Sequence, residues 1–323
     1  MKYQNQDDLM NSPFVSVIIP NYNHAKYLDD RIQSVLNQTY QDFEVIILDD
    51  CSTDNSVEVI NKYKDNPHIS SIVINDKNCG LTFKQWHKGF ELAKGELIWI
   101  AESDDKCEKE LLETLVSFFE KDPMCVLAYT ESVFYKDDGT TQYFCVKTES
   151  EIMDGKEFIA ERMAVGNAIV NASSAVFKKS VAQCIDKQYT DFKGAGDRLF
   201  WIEIAEYGKV GIDYHKLNYF RIHDNNSTKR NYYEGINQRE DFKILNYIRS
   251  KKYITRSQYI NSKIAYSNYN VYSERLSPFL KKEIGDLWSV GLLEKIILFV
   301  CNLPDIIDYK LIRIKSLIND YLS

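Results

Sequence analysis

The chain has little of what several common classes of site require. Its seven cysteines are scattered and odd in number, and no two of them form a CxxC pair. A zinc site is therefore not expected, and the thiols are typical of a reduced, cytoplasmic protein. The polar, acidic first residues do not resemble a secretory signal, and no apolar run approaches the roughly 20 residues that span a bilayer. Internal repeats and low-complexity tracts are also missing.

What the 323 residues do contain is a series of strand patterns, each followed by a polar turn and a helical pattern. Residues 14–19, 43–48 and 96–101 are largely apolar and rich in β-branched side chains. Such runs are typical of parallel strands that are buried on both faces. Parallel sheets bind ligands outside the carboxyl ends of their strands. The polar clusters that follow these runs should therefore converge on one crevice.

The cluster after the third run is Glu102-Ser103-Asp104-Asp105. Three carboxylates within four residues repel one another unless they share a cation. Oxygen ligands at a strand end suit a divalent metal that bridges a diphosphate. The alternative is a solvated acidic turn that caps the next helix. No glycine-rich basic loop follows the first run, although a sugar-phosphate nucleotidyltransferase would be expected to have one.

The motifs around these runs have the order and spacing of those in the family 2 glycosyltransferases, and the chain resembles that family over roughly residues 13–228. The segments that carry the resemblance are Phe14–Asn23, Leu48–Asp54, Asn78–Gly80, Gly95–Asp105 and Gly196–Asp197. It implies a GT-A fold, which is an α/β fold with a Rossmann-like, mostly parallel sheet flanked by helices. It also implies an inverting transfer from a nucleotide-diphosphate sugar, most often a UDP sugar, with Mn²⁺ or Mg²⁺. The expected product is a bacterial surface polysaccharide.

The domain organisation is predicted from this match and from the helical pattern that follows it. We expect an N-terminal tail over residues 1–12 and a helical C-terminal extension over 229–323. Between them, residues 13–105 should form the nucleotide-binding half of the catalytic domain and 106–228 the acceptor half. Gly95 ends a helical pattern and is interpreted as the residue that caps it.

The resemblance also implies which residues bind the donor. A carboxylate after the second strand, either Asp50 or its neighbour Asp49, should accept a hydrogen bond from the N3–H of uracil, because an ionised carboxylate only accepts. Four residues after the first strand should line the nucleotide pocket: Pro20, Asn21, Tyr22 and Asn23.

Glu102-Ser103-Asp104 stands where the family has its Asp-x-Asp motif. The resemblance implies that Asp104 contacts the ribose or the metal and that Asp105 is a direct metal ligand. Glu102 replaces the usual Asp, so it is expected to reach the metal through water.

Arg221 and His223 belong to a segment that resembles a late Tyr-Arg-x-His motif, which suggests a diphosphate-binding arginine and a metal-ligating histidine. The alternative for Arg221 is a structural ion pair with some of the surplus carboxylates.

Asp197 is the candidate general base, which would take the proton from an acceptor hydroxyl as it attacks the anomeric carbon. The alternative role for Asp197 is that of a helix N-cap. Gly196 departs from the family's usual Glu, and together with Glu102 it leaves open a degenerate subunit that binds donor without turnover. His24 is interpreted as an ordinary surface histidine, and Trp86 as a core residue.

Charge is divided unevenly along the chain. Residues 1–228 have a net charge of −13, and residues 229–323 have a net charge of +6. The basic C-terminal part is therefore expected to meet an anionic partner, and no nucleic-acid motif accompanies it. The sequence leaves three partners open: the cytoplasmic face of the inner membrane, a glycan or lipid-linked glycan acceptor, and a second copy of the chain in a homodimer.

Overall fold

A computed structural model describes residues 13–142, 149–223, 227–271 and 276–295. The chain divides into two compact units, the first ending at Asn231 and the second beginning at Tyr232. The predicted tail over residues 1–12, most of a predicted strand at 142–146 and the end of the chain after residue 295 lie outside the described residues.

Ten strands among the described residues form one mixed sheet in the first unit. The strands are β1 (Val15–Asn21), β2 (Phe43–Asp49), β3 (Ile69–Ile74), β4 (Leu97–Ile100), β5 (Lys106–Cys107), β6 (Cys125–Tyr135), β7 (Thr141–Gln142), β8 (Glu151–Asp154), β9 (Ala175–Lys178) and β10 (Lys209–Arg221). The main order is β3-β2-β1-β4-β9-β6-β10-β5, while β7 pairs with β6 and β8 with β10.

The strands β3, β2, β1 and β4 run parallel to one another. All residues of β1, β2 and β4 are buried, as continuous apolar runs predict for a sheet covered on both faces. The strand β9 is antiparallel to both β4 and β6. It starts beside the end of β4 and runs in the opposite direction, so the sheet is no longer purely parallel beyond its first four strands.

Helices cover both faces of the sheet. The helices of the first unit are α1 (Ala25–Leu36), α2 (Ser56–Asn61), α3 (Thr82–Leu92), α4 (Leu111–Lys121), α5 (Gly155–Phe158), α6 (Lys179–Ala182) and α7 (Gly196–Ala205). Side chains of α1, α2 and α4 join one apolar cluster with alternate residues of β1, β2 and β4. On the other face, α3 and α7 meet β9 through aromatic contacts such as Phe177 with Phe200, whose ring centroids are 5.0 Å apart. The predicted α/β class with flanking helices is confirmed.

The second unit is helical in its described part. The helix α8 (Ser227–Tyr233) spans the boundary between the units, and α9 (Ile236–Ser250), α10 (Arg256–Val271) and α11 (Pro278–Leu287) follow. Trp288 is buried at its centre and stacks on Tyr266 with a ring separation of 4.4 Å. Within the described ranges, no helix is both long and apolar enough to cross a membrane.

Gly95 was predicted to cap a helix, but the structure requires glycine at this position because of packing. Its φ is not in the left-handed region, so conformational freedom is not what the position demands. A Cβ on Gly95 would instead lie 2.6 Å from the backbone nitrogen of Ser16 in β1. The start of β4 therefore depends on close backbone packing against β1.

We predict that Gly95→Ala lowers the free energy of unfolding by about 1–3 kcal/mol, because the added methyl group overpacks against backbone that cannot move aside. Gly166→Ala is the matched control, since a Cβ there meets nothing within 4 Å. Urea unfolding of both variants measures the effect. Equal midpoints for the two variants would contradict the packing argument.

Candidate functional site

The polar clusters that follow β1, β2 and β4 lie next to one another, because these three strands are neighbours in the sheet. At the end of β1, Asn21 Nδ2 donates to Asp49 Oδ2 of β2 over 2.7 Å. On the other side, the ring nitrogen Nδ1 of His24 is 2.8 Å from the hydroxyl of Ser103, which follows β4. Three strand ends therefore share one polar edge.

The two acidic residues at the end of β2 differ in their surroundings. Asp49 is fully buried and closes a local turn, accepting hydrogen bonds from the backbone N–H and the hydroxyl of Ser52. Asp50 accepts from Asn75 Nδ2 over 2.7 Å and from Gln85 Nε2 over 2.8 Å, and the backbone N–H of Cys79 reaches both of its oxygens. Asp50 is thus held against the loop after β3. Both carboxylates are thus engaged by protein donors, and which of them binds the base stays a prediction.

The four residues predicted to line the nucleotide pocket are not alike. Pro20 is a buried residue inside β1, whereas the Tyr22 side chain is 46% exposed. Asn23 has a φ of 56° and accepts a hydrogen bond from the backbone N–H of Thr53, so it turns the chain into α1. The Oδ1 atom of Asn21 is buried and has no hydrogen-bond partner among the described residues. Their contact with a nucleotide stays a prediction.

The three carboxylates after β4 lie in three different environments. Asp105 is completely buried and accepts hydrogen bonds from Asn171 Nδ2, Ser173 Oγ and the backbone N–H of Arg221 at 2.7–3.0 Å. Glu102 accepts a 2.8 Å hydrogen bond from the indole N–H of Trp86, which is buried as predicted. Asp104 faces His223, whose Nε2 is 3.0 Å from Asp104 Oδ2. Asp105, predicted to ligate metal directly, is thus the carboxylate most engaged by protein groups.

Two buried arginines hold the backbone of this acidic loop. Arg31 of α1 donates from Nε to the carbonyl of Glu102 over 2.9 Å, and its Nη2 is 3.8 Å from Asp105 Oδ2. Arg221, at the end of β10, donates from Nε to the carbonyl of Asp104 over 2.8 Å. The two guanidinium groups therefore fix two carbonyls that are two residues apart and place positive charge beneath the loop.

The guanidinium of Arg221 lies between two aromatic rings, with its central carbon 4.4 Å from the ring centroid of Tyr27 and 4.6 Å from that of Tyr135. It also pairs with Asp137 at 2.5 Å, and only 8% of its side chain is exposed. These contacts correspond to the structural ion pair that the sequence left open for Arg221. Direct contact with a diphosphate stays a prediction.

The environments give the three carboxyl groups different proton affinities. Burial, reinforced by the charge of Asp104, raises the pKa of Glu102 to about 8. Burial and Asp104 also raise the pKa of Asp105 to about 6, against the opposing charge of Arg31. Burial acts to raise the pKa of Asp104 as well, but the hydrogen bond from His223 and the charge of His24 outweigh it and lower the pKa. Near neutral pH, Asp104 carries the negative charge and Glu102 carries a proton.

We predict that the stability of the metal-free protein falls as pH rises from about 5 to 8. In this range the folded protein keeps protons on Glu102 and Asp105 that the unfolded chain, with carboxyl pKa values near 4, has already released. Stability from this source is complete below those unfolded values and is lost as pH passes the folded ones. Unfolding midpoints of the parent and of Glu102→Gln in EDTA, measured across this range, isolate the effect. A parent curve that does not fall more steeply than the variant's would contradict it.

A second group of side chains surrounds the charged carboxylate. One ligand atom from each of His24, Asp104 and His223 lies within 4.8 Å of the other two, and all three residues are partly buried. His24 was interpreted as an ordinary surface histidine, and that was wrong because its ring lies against Ser103 and His223. Burial, the largest influence, lowers the pKa of His24 and favours the neutral imidazole. Neither Glu102 nor Asp105 belongs to this group.

Asp197 lies in the first turn of α7, where the helix dipole favours a carboxylate. It accepts a 2.9 Å hydrogen bond from Asn167 Nδ2. A Cβ on the preceding Gly196 would lie 2.5 Å from the ring of Phe83 and 2.6 Å from the carbonyl of Tyr189. The glutamate that the resemblance led us to expect at position 196 therefore does not fit the packing of this chain.

Three residues that hold the acidic loop were not singled out from the sequence. Arg31 lies inside an amphipathic helical pattern, and Asn171 and Ser173, which both hold Asp105, belong to no predicted site. A charged residue on the apolar face of α1 was the one available signal. Its partner could be found only after α1 and β4 were placed side by side.

We predict that Asp105→Asn lowers the free energy of unfolding by about 3 kcal/mol, because it leaves the buried Arg31 guanidinium without its counter-charge. Asp104→Asn should change the unfolding midpoint in EDTA far less and should instead abolish its increase on adding Mn²⁺. Thermal unfolding of both variants with EDTA and with Mn²⁺ separates the two roles. The reverse pattern would make Asp105 the metal ligand and Asp104 the structural residue.

Comparison with known proteins gives consistent similarities. The family model described as "Glycosyl transferase family 2" matches residues 16–185. The glycosyltransferase GlyG of Streptococcus pneumoniae is 31% identical over 169 residues, which are 52% of this chain and 52% of that protein. The poly(ribitol-phosphate) β-N-acetylglucosaminyltransferase TarP of Staphylococcus aureus is 30% identical over 246 residues, or 69% of this chain and 70% of that protein.

Among solved structures, residues 1–349 of S. aureus TarS in complex with UDP-GlcNAc superpose with a TM-score of 0.55 at 18% identity. The superposition covers 84% of this chain and 70% of that one. This similarity shows the fold, and the predicted GT-A fold is confirmed. The sequence matches span about half the length of the first curated relatives.

Proposed function

The chain belongs to glycosyl transferase family 2, and on that premise we propose that it is a metal-dependent inverting glycosyltransferase. It transfers a sugar from a nucleotide-diphosphate sugar, with UDP as the nucleotide, to a hydroxyl of a glycan or lipid-linked glycan in surface polysaccharide synthesis. The observation that carries the proposal is the pairing of an ionised Asp104 with His223 at the shared end of β1, β2 and β4.

The nucleotide side of the crevice contains two acceptor atoms that the protein itself does not use. The buried amide oxygens Asn21 Oδ1 and Gln85 Oε1 have no hydrogen-bond partner among the described residues. Asp50 already accepts hydrogen bonds from Asn75, Gln85 and Cys79, so the uracil N3–H would add to these. Buried polar atoms without partners are costly in a folded protein, so ligand donors such as the uracil N3–H and ribose hydroxyls would satisfy them. This arrangement supports a nucleoside as the occupant.

The diphosphate side fits a divalent cation, Mn²⁺ or Mg²⁺. Asp104 and His223 would hold it, because a carboxylate oxygen and a neutral imidazole nitrogen are both metal ligands. When bound, such an ion neutralises the charge that develops on the departing diphosphate. Arg31 and Arg221 hold the loop that contains Asp104 in place through its backbone carbonyls.

On the acceptor side, Asp197 is proposed as the general base. Asn167 orients its carboxylate. The Oδ1 of the same Asn167 is buried with no partner in the described part of the chain, and an acceptor hydroxyl that reached it would satisfy it. Asp197 takes the proton of that hydroxyl as its oxygen attacks the anomeric carbon opposite the diphosphate. Attack from that face inverts the configuration and requires no covalent intermediate.

A degenerate subunit that binds donor without turnover is the main competing proposal, and the two sequence departures that suggested it have local explanations. Gly196 is explained by its packing against Phe83 and Tyr189. Glu102 reaches the indole of Trp86 with its longer side chain. Neither departure removes Asp104, His223 or Asp197.

The acceptor and the location are proposed from charge. TarP is named for an anionic, phosphate-containing acceptor, and the C-terminal residues of this chain are basic. We propose that these residues contact a glycan or lipid-linked glycan at the cytoplasmic face of the inner membrane, or a second copy of the chain.

We predict that Asp197→Asn reduces sugar transfer by about 10²–10⁴-fold, the range expected when a general base is removed, and leaves donor binding intact. UDP, GDP, CDP and dTDP sugars are screened for thermal shifts with Mn²⁺ and with EDTA, and the donor so identified is used to measure turnover. Asp191→Asn, an exposed carboxylate in the preceding turn, is the matched control.

The outcomes separate the competing proposals. A thermal shift with one UDP sugar that disappears in EDTA, together with loss of turnover in Asp197→Asn alone, supports the glycosyltransferase. Donor binding without any turnover in the parent supports the degenerate subunit. No shift with any nucleotide sugar in the presence of metal would overturn both.

A further inference from the structure

We infer that His24 is a third protein ligand of the metal ion, and that two imidazoles with one carboxylate make the site prefer transition ions such as Mn²⁺ over Mg²⁺. The inference rests on the proposed function and deepens it, because it concerns the composition of the metal site rather than its existence. Nothing in the sequence motifs of the acidic loop predicts a ligand from the turn before α1.

The first step of the argument is the position of the His24 ring. Its plane meets that of His223 edge to face at 85°, with the ring centroids 5.7 Å apart, and His223 Nε2 is 3.0 Å from Asp104. The three ligand atoms lie within 4.8 Å of one another. Ligands about 2.1 Å from a shared ion stand roughly 3–4 Å apart. A small rotation of the side chains is therefore enough to bring all three onto one ion.

The second step is the orientation of the ring. Nδ1 of His24 lies 2.8 Å from the hydroxyl of Ser103, a side chain that is 2% exposed. Histidines that bind metals regularly donate their other ring N–H to an oxygen, which fixes the tautomer and aims the second nitrogen at the ion. With Nδ1–H donated to Ser103, the lone pair of Nε2 is left for the metal. An ordinary surface histidine has no such buried partner.

The third step is the rigidity of the backbone that carries His24. Asn23 has a φ of 56°, its N–H donates to Ser52 Oγ, and its Oδ1 accepts from the N–H of Thr53. The carbonyl of His24 then accepts from the N–H of Leu28 and starts α1. The loops after β1 and β2 thus hold the histidine in place, which lowers the entropic cost of placing it on an ion.

The donor set determines the expected metal. Mg²⁺ prefers oxygen ligands and keeps several waters, whereas imidazole nitrogen suits transition ions. One histidine beside a carboxylate gives the site a modest preference for Mn²⁺ over Mg²⁺, and a second histidine increases that preference. Removing His24 should therefore weaken Mn²⁺ binding while leaving the weak Mg²⁺ binding nearly unchanged.

The test is a pulsed electron paramagnetic resonance measurement on the full chain with Mn²⁺ and UDP, combined with calorimetric titration of Mn²⁺ and Mg²⁺. The parent should show couplings from two imidazole nitrogens, and His24→Asn should show one. We expect His24→Asn to raise the Kd for Mn²⁺ by about 10–100-fold and to reduce the ratio of Mn²⁺ to Mg²⁺ affinity correspondingly. His215→Asn is the matched control, since this histidine has a 62% exposed side chain and contacts Asp213.

Each outcome decides between the claims. One nitrogen coupling in the parent, unchanged in His24→Asn, would overturn the role of His24 and leave the proposed function standing. Failure of the parent to bind Mn²⁺ with or without UDP would overturn the proposed metal site itself. The nitrogen count in the parent needs no variant, so the inference stays testable if His24→Asn does not fold.

Discussion

The crowding of three carboxyl groups at the end of β4, one of them completely buried, is the constraint on which the rest of the site depends. Three ionised carboxylates in this volume would repel one another strongly. The protein avoids this by placing each group in a different environment. Asp105 is surrounded by donors and paired with Arg31, and Glu102 keeps its proton. Asp104 is the ionised carboxylate that stays partly exposed. Of the three neighbouring carboxyl groups, Asp104 is therefore the one placed to bind a metal ion.

Arg31 and Arg221 make this division of roles possible. Each donates to a backbone carbonyl of the acidic loop, and each comes from an element that is distant in sequence, α1 in one case and β10 in the other. The charge of Arg31 also offsets the buried negative charge of Asp105. The shape of the loop is therefore maintained by the fold as a whole, and a bound ion has only to complete the charge balance at Asp104.

Much of the fold was predictable because its strands are continuous apolar runs that end in polar turns, and such runs have few other stable arrangements. The strands β1, β2 and β4 were found in this way, and their adjacency followed from their parallel pairing. The site was less predictable. The nearness of Glu102, Asp104 and Asp105 is visible in the sequence, but the roles that separate them arise from Trp86, Asn171 and Arg31, which reach the loop only in three dimensions. His24 was misjudged for the same reason, since Ser103 and His223 come close to its ring only in the folded chain.

The most direct measurement is anomalous diffraction from crystals grown with Mn²⁺ and UDP. The charge division described above requires one manganese peak, within bonding distance of a carboxylate oxygen of Asp104 and of a ring nitrogen of His223, with Asp105 still bonded to Asn171 and Ser173. A peak on Asp105, with Asp104 turned away from it, would contradict the assignment of Asp105 to structure and Asp104 to the metal.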